Sequence, residues 1–421
     1  MIRIAFIVHG MQTGGIERSV TRVIKGLNRE SYEAIVICLD RTGPAANWLA
    51  DDVPLFEIKK RSGNDLLAIK RLANLLRHEE IDIVQSHNWG TLIETAVARK
   101  IAGVGHHIHA ERGTVLGQVV AHGWKHRVRS AAMKVALKTV DRVMSNSYAV
   151  AQRVESRCGY AAERITVIPN GVEGFSDCDQ QLAKSEIRNQ LRIKADAVMV
   201  GSVGRLEHVK GYDILIDAFG QIPDENAHLI LIGDGSEKES LENLVRHQSI
   251  ENRIHFVGHQ NDVSNWLAAL DIYVNSSRSE GMSQSIVEAM SVGLPIVATD
   301  VGDATQMIHR ENLRCGEICV PENAESLTGA MTVLLSNTDL RRRLGNNALS
   351  CHRKHYSESK FIKSMEKLYK VVVDSRCFAG PPCKSELSNA SGSFSVPVVE
   401  NPLSDENSTC TVNDLTETIR R

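Results

Sequence analysis

Arg278-Ser-Glu280-Gly-Met-Ser-Gln-Ser-Ile-Val-Glu288-Ala-Met-Ser-Val-Gly293-Leu-Pro295-Ile-Val-Ala-Thr-Asp300-Val-Gly302 sets a loop, a helix and a strand in immediate succession. Just before it, Asp271-Ile-Tyr-Val-Asn275 reads as a short buried strand, apolar and β-branched between polar ends. Ser276–Gly281 is then a loop at that strand's carboxyl end. Ile286, Val287, Ala289 and Met290 give Ser285–Val292 the apolar face of a helix packed on a sheet. Gly293-Leu-Pro295 ends that helix, and Pro295–Thr299 is the next buried strand.

Two carboxylates give the stretch its chemistry. Glu280 lies in the loop, and Glu288 follows about two helical turns along the next helix. Gly281, Ser283 and Ser285 lie between them and leave backbone N–H groups uncovered at a helix start, where a phosphate is favoured. A pyrophosphate on the helix end and a ribose diol on Glu288 would make a cradle for a sugar nucleotide. Taken alone, the pair reads first as a loop charge and a solvated helix charge, because glutamates at that spacing are common.

Outward from that stretch, strands and helices alternate from residue 2 onward, which points to parallel α/β sheets. Ile2–Val8 is the first strand, and the loop with Gly14-Gly15 opens a helix to about Leu27. That glycine pair is a phosphate loop or simply a helix start, because it lacks the third glycine of a dinucleotide fingerprint. His87, His107 and His109 are expected near strand ends on one side of the sheet. A second alternating unit begins after a polar linker near residues 173–195, with the strand Val198–Val203. Gly204-Arg205-Leu-Glu-His-Val-Lys210-Gly211 follows, and a glycine-flanked loop carrying a forked donor and a point charge suits a diphosphate.

At 421 residues the chain is long enough for two domains with sizeable cores. Its net charge of −2 argues against a nucleic-acid binder. Residues 1–170 carry 24 Lys and Arg against 16 Asp and Glu, a net of +8, and the remaining 25 against 35 leave −10. A basic first half suggests contact with an anionic surface. Gly123–Arg142 concentrates it: Lys125, Arg127, Arg129, Lys134 and Lys138 interleave with Trp124, Val128, Met133, Val135 and Leu137. Such a helix reads as a membrane-surface element or as a solvated face. The nine cysteines are scattered, and Cys315 and Cys319 have no second ligand pair at zinc spacing, so both read as structural. The opening strand predicts no signal peptide, and no apolar run reaches the ~20 residues of a spanning helix. The expected place is the cytoplasm, with a peripheral position on the inner face of the plasma membrane. From about Arg376 the composition turns to Ser, Pro, Asn and acids, which predicts a disordered tail over 376–421.

Glu280, Glu288, Ala289-Met290 and Gly293-Leu-Pro295 together resemble the donor motif of the family-four retaining glycosyltransferases, also called glycosyl transferases group 1. The resemblance extends over residues 1–374, through Gly14-Gly15, Pro169-Asn-Gly171, Gly204-Arg205…Lys210-Gly211 and Glu280…Glu288 in the family's order. It implies a GT-B fold, two Rossmann-like domains facing across a cleft. The expected divisions are 1–172 for the acceptor side, 173–357 for the donor side and 358–375 for a helix crossing back. It implies transfer of a sugar from a nucleotide sugar to an acceptor hydroxyl with retention, in cell-surface polysaccharide or glycolipid synthesis. A lipid-linked or saccharide acceptor is implied, and neither cofactor nor metal is expected.

By that resemblance Glu280, Arg205, Lys210 and His109 carry the chemistry. Gly14, Gly15, Gly258, Gly281, Met282, Ser283, Gln284, Ser285 and Glu288 hold the donor, and His87, His107 and Arg112 face the acceptor. The chain departs from the family at Arg112, where many relatives have histidine, at Ser283-Gln284-Ser285, and at Gln306, where they often have glutamate. Other chemistries on the same cleft are an epimerase, a phosphorylase or a sugar-nucleotide-binding protein without turnover.

Overall fold

A computed structural model describes residues 1–374 apart from 13, 64, 114–123 and 176; the tail expected over 376–421 lies outside the described residues. Its first lobe runs β1 (Ile2–Val8), α1 (Gly15–Gly26), β2 (Tyr32–Cys38), β3 (Leu55–Glu57), α2 (Leu66–His78), β4 (Ile83–His87), α3 (Trp89–Ala102), β5 (His106–Glu111), α4 (Trp124–Lys138), β6 (Arg142–Ser145), α5 (Tyr148–Cys158) and β7 (Ile165–Val167). The second lobe opens on α6 (Asp177–Leu191) and continues through β8 (Val198–Val203), α7 (Tyr212–Gly220), β9 (Ala227–Ile232), α8 (Lys238–His247), β10 (Ile254–Gly258), α9 (Ser264–Ala269), β11 (Ile272–Asn275), α10 (Gln284–Ser291), β12 (Ile296–Thr299) and α11 (Ala304–Ile308). A hairpin, β13 (His309–Arg310) and β14 (Leu313–Arg314), precedes β15 (Gly316–Cys319), α12 (Ala324–Ser336), α13 (Thr338–Cys351) and α14 (Glu358–Asp374).

Every strand pair in the two large sheets is parallel. The seven-stranded sheet has the order β3-β2-β1-β4-β5-β6-β7, and the six-stranded one β10-β9-β8-β11-β12-β15. Both orders reverse direction beside their first strand, between β1 and β4 and between β8 and β11. In doubly wound sheets, ligands bind at the carboxyl ends of the strands at that reversal. The Gly14 loop and His87 therefore flank one switch point, and the Arg205–Lys210 loop and Glu280 flank the other.

Helices cover both faces of each sheet, so the strands are apolar runs rather than alternating ones; β1 is buried from Ile4 to Val8. Two cores sandwich each sheet. In the first lobe, Val20, Val23 and Ile24 of α1 join Phe361, Ile362, Met365, Leu368 and Tyr369 of α14 on one face, and Leu72, Ala73 and Leu76 of α2 pack on the other. The last helix thus packs in the first lobe's core, and the Tyr369 hydroxyl donates to the Gln85 Oε1 at 2.7 Å. The chain passes between lobes at Val172 and again near Ser357, where the two segments pair: Val172 N donates to the Tyr356 carbonyl at 2.9 Å and Glu358 N to the Val172 carbonyl at 3.0 Å. Both lobes belong to one compact unit, residues 1–375. Among the described residues no helix is long and apolar enough to cross a membrane.

The sheet register corrects one expectation. Ser86 pairs with His109 and His87 with Ala110. Because side chains alternate across a strand, His87 lies on the face opposite His107 and His109. His107, second in β5, also sits well short of that strand's carboxyl end.

Candidate active site

The second lobe's half of the site is built on two loops locked together. Gly211 ends the Arg205–Lys210 loop at φ +64°, and a Cβ there would lie 2.2 Å from the Ser276 carbonyl oxygen, so only glycine lets the loops meet this closely. Ser276 Oγ donates to the Lys210 carbonyl at 3.0 Å, and Arg278 N donates to the Val209 carbonyl at 2.8 Å. The Arg278 guanidinium pairs with Asp213 at 2.6 Å and Glu322 at 3.1 Å, which clamps the base of both loops.

This packing brings Lys210 to Glu280. Their Nζ and Oε1 atoms are 2.5 Å apart, and Ser277 Oγ donates to the same oxygen at 2.8 Å. Arg205, on the same loop as Lys210, is exposed. Ser283 is the residue before α10, but its hydroxyl accepts from Asn275 Nδ2 at 3.0 Å and sits 3.2 Å from Ser285 Oγ. It therefore does not cap the helix, and the first-turn N–H groups of α10 have no side-chain cap. Met282 is buried, with its Sδ accepting from Asn170 N of the first lobe at 3.4 Å. Gly258 ends β10 at φ +71°, and its carbonyl accepts from Gly233 N at 2.9 Å.

Glu288 faces a different part of the interlobe space. It lines a cleft of about 560 Å³ opposite Arg18, Arg22, Lys25 and Trp48 of the first lobe, with Asp262 and Ser264 on its own side. Burial raises its carboxyl above the usual range, and the nearby Arg18 and Arg22 charges hold it down. Arg18 spans the cleft, its Nη2 donating to the Asn261 carbonyl at 3.3 Å, and lies 5.6 Å from the Trp48 ring centre. Gly14 is the N-cap of α1, and Gly15 its first residue, which puts Arg18 one turn into that helix. The glycine pair was legible as a loop; the cation one turn later is the group that reaches the other lobe.

His87, His107 and His109 of the first lobe are buried. His87 Nδ1 lies 3.1 Å from the Ile7 carbonyl and its Nε2 3.1 Å from Gln85 Nε2. A carbonyl only accepts, so Nδ1 carries the proton and Nε2 accepts from the Gln85 amide. That neutral ring is held down to about 3 by burial and by the Arg112 charge, and through Gln85 it connects to Tyr369 of α14. His107 is wholly buried, with burial lowering its basicity. Ser86 Oγ bridges His107 Nε2 at 2.8 Å and His109 Nδ1 at 2.9 Å. His109 Nε2 lies 3.4 Å from Glu111 Oε2, a fully buried carboxyl that burial raises. Arg112 is not free at an open acceptor surface. Its Nη1 donates to Ser19 Oγ and to Asn170 Oδ1 at 3.1 Å, its guanidinium lies 5.9 Å from the Phe361 ring centre, and burial lowers it to about 10. It ties α1, the end of the β7 segment and α14 together.

With that geometry in view, the likeness to known proteins is direct. Residues 13–173 match the model of Glycosyltransferase Family 4, and residues 183–350 that of Glycosyl transferases group 1. The fold superposes on Anabaena HepE in complex with UDP, with a TM-score of 0.75 and 22% identity over 88% of this chain and 100% of that one. An Escherichia coli UDP-Gal:alpha-D-GlcNAc-diphosphoundecaprenol alpha-1,3-galactosyltransferase is 24% identical over 384 residues, 89% of this chain and 97% of that protein. The Rhizobium meliloti lipopolysaccharide core biosynthesis glycosyltransferase LpsE is 32% identical over 207 residues, 49% of this chain and 57% of that one. Two parallel Rossmann-like sheets in these orders are the GT-B fold. The chain belongs to the group 1 glycosyltransferases, and it is a glycosyltransferase.

Proposed function

We propose that this glycosyltransferase moves a sugar from a nucleoside-diphosphate sugar to a hydroxyl of a saccharide on a lipid carrier, with retention at the anomeric carbon. The observation that carries the proposal is the Lys210–Glu280 pair at the switch point of the second sheet, beside the uncapped start of α10. As the anomeric bond breaks, negative charge grows on the diphosphate. Lys210, Arg205 and the α10 N–H groups stabilise that charge where it develops. These cations carry the leaving group without a metal in this proposal. Glu280, oriented by Lys210 and Ser277, accepts hydrogen bonds from donor-sugar hydroxyls, and Glu288 accepts from the ribose diol. The acceptor oxygen bonds to the anomeric carbon on the face the diphosphate leaves, and its proton passes to the departing phosphate oxygen.

UDP-sugars are the first donors to test, since the Anabaena neighbour was crystallised with UDP and the Escherichia coli relative is named for UDP-Gal. A lipid-linked acceptor is supported by that relative's printed substrate, and on this reading the enzyme works in cell-surface saccharide synthesis, at the cytoplasmic face of the membrane. The test is a screen of nucleotide sugars with a diphosphate-linked glycan acceptor, in the presence of chelator, following nucleoside diphosphate release and the anomeric coupling of the product by NMR. Product of inverted configuration rules out the retaining route, and activity restored only by a divalent cation rules out the metal-free one.

A further inference from the structure

Asp303 lies in the second lobe at the start of α11, yet its carboxylate serves the first lobe. It is 6% exposed. Its Oδ2 accepts from Tyr148 N at 2.7 Å, and its Oδ1 from Ala149 N at 2.8 Å and Ser147 Oγ at 3.0 Å. Ser147 Oγ accepts in turn from Val150 N at 3.2 Å. The orphan N–H groups of the first turn of α5 are thus met by one carboxylate from across the interface and by the serine it holds. A negative group at a helix N-terminus is the stabilising sign.

The same residue is fastened to the donor loop. Asp303 N donates to the Gly281 carbonyl at 3.0 Å. Gly302, just before it, sits at φ +60°, and a Cβ there would lie 2.2 Å from the Gly281 carbonyl oxygen and 2.8 Å from that of Glu280. A Cβ on Gly281 would lie 2.9 Å from Val150 Cγ2, so the loop rests on α5 itself. The chain of contact runs from α5 through Asp303 to the backbone of Glu280 and Gly281, and from the Glu280 side chain to Lys210.

We propose that Asp303 is a positioning residue for transfer, a latch that seats the Glu280 loop against α5 and holds the two lobes in register at the site. The proposal rests on the transferase reading above. Val172 and Ser357 leave the lobes a hinge, and a hinge alone allows rotation. Any rotation that parts the lobes here must pull a buried carboxylate from three donors at once, and it carries the Glu280 backbone with it. Arg205 and Glu288 both belong to the second lobe, on the same side of the interface as Asp303, so their nucleotide contacts survive a parting of the lobes there.

The test compares Asp303→Ala with Ser147→Ala, which removes a donor from the opposite lobe and leaves the second lobe's sequence intact. Steady-state kinetics, nucleoside diphosphate calorimetry and amide hydrogen exchange are read on each. The expected result is a loss of about ten- to hundredfold in kcat, the scale of a displaced reacting group. Donor KM and nucleoside diphosphate affinity stay near wild type, and exchange rises in residues 277–283 as well as at 148–150. Unchanged kcat, or faster exchange confined to 148–150, makes Asp303 an ordinary helix cap and overturns the proposal. Should Asp303→Ala not fold, Ser147→Ala carries the same readouts. If the wild type releases no nucleoside diphosphate from any nucleotide sugar, the transferase chemistry fails; exchange at 277–283 in Ser147→Ala still decides whether the two lobes are latched.

Discussion

Lys210 and Glu280 come from loops 70 residues apart and meet with Nζ and Oε1 at 2.5 Å. Each is mostly shielded, with side-chain exposures of 21% and 15%. In the proposed transfer the partners of both groups change: the ammonium turns to a diphosphate and the carboxylate to sugar hydroxyls.

Lys210→Ala is expected to lower kcat by about 10- to 150-fold, which corresponds to ~1.5–3 kcal/mol for a lost charge-assisted contact. Arg205→Ala, on the same loop but exposed in the free protein, is expected to act in the same direction. Steady-state turnover checks both, with circular dichroism to show that the fold persists. Wild-type turnover in the folded double variant would remove both cations from the chemistry.

Glu288→Ala is expected to weaken nucleoside diphosphate binding more than Glu280→Ala, because Glu288 is assigned to the ribose and Glu280 to the sugar. Calorimetry without donor sugar reads the difference directly. Equal losses would mean that the two roles are not divided this way.

Burial adds a pH dependence to Glu288. Its folded-state pKa is raised, so the native protein holds the proton more tightly than the unfolded chain. Stability linked to this group is therefore fully present below the ordinary carboxyl pKa of ~4.3 and is lost as pH rises through the raised value. Binding is expected to run the other way, since the ionised form is the one that would accept from the ribose diol. Glu288→Gln is expected to lose nucleotide affinity at neutral pH without losing thermal stability there, and to flatten the fall in affinity on acidification. A melting temperature that drops at pH 7 would show that the ionised carboxylate stabilises the fold instead.

Much of this site is legible in the order of residues, because its parts are local. Glu280, the start of α10 and the Arg205–Lys210 loop each sit at a strand's carboxyl end, and Glu288 follows within α10, so periodicity and glycine spacing mark each element. What escapes is set by register and by distance along the chain. The face His87 occupies depends on its pairing with Ala110 rather than on its neighbours in sequence. Strand β3 has three residues and no run long enough to mark it. Arg112 reads as a possible acceptor contact until Ser19, Asn170 and Phe361, each more than fifty residues away, close around it. Asp303 looks like a turn residue and caps a helix 155 residues upstream. Arg18 was visible beside the glycine pair, but nothing local shows that it faces Asn261 across the cleft.

Gly302→Ala is expected to destabilise the protein. The residue sits at φ +60°, and a methyl group would strike the Gly281 carbonyl at 2.2 Å. A non-glycine residue in that region costs about 1–3 kcal/mol before any clash is counted. Thermal unfolding checks it, and an unchanged melting temperature would show that the turn relaxes freely. The donor loop is expected to loosen first, so turnover should fall at temperatures where the variant is still folded.

The last prediction concerns the membrane. On α4 the described side chains of Arg127, Val128, Lys134, Val135 and Lys138 are exposed, whereas Met133, Ala136 and Leu137 are buried; the side chains of residues 124–126 and 129 lie outside the described ones. The neighbouring α3 adds exposed Val97, Lys100 and Ile101. Cations and apolar side chains thus share an outer surface of the first lobe, in the half of the chain with a net charge of +8. Each Lys or Arg near an anionic bilayer contributes about 1 kcal/mol, within a Debye length of roughly 8–10 Å at moderate salt. The protein is therefore expected to sediment with vesicles containing anionic lipid at low salt, to leave them as salt rises, and to ignore neutral vesicles. Replacing Arg127, Lys134 and Lys138 together by Gln should abolish sedimentation while turnover on a soluble acceptor is kept. Protein that stays in solution with anionic vesicles at low salt would make this helix an ordinary solvated face, and a soluble acceptor would become the better assignment.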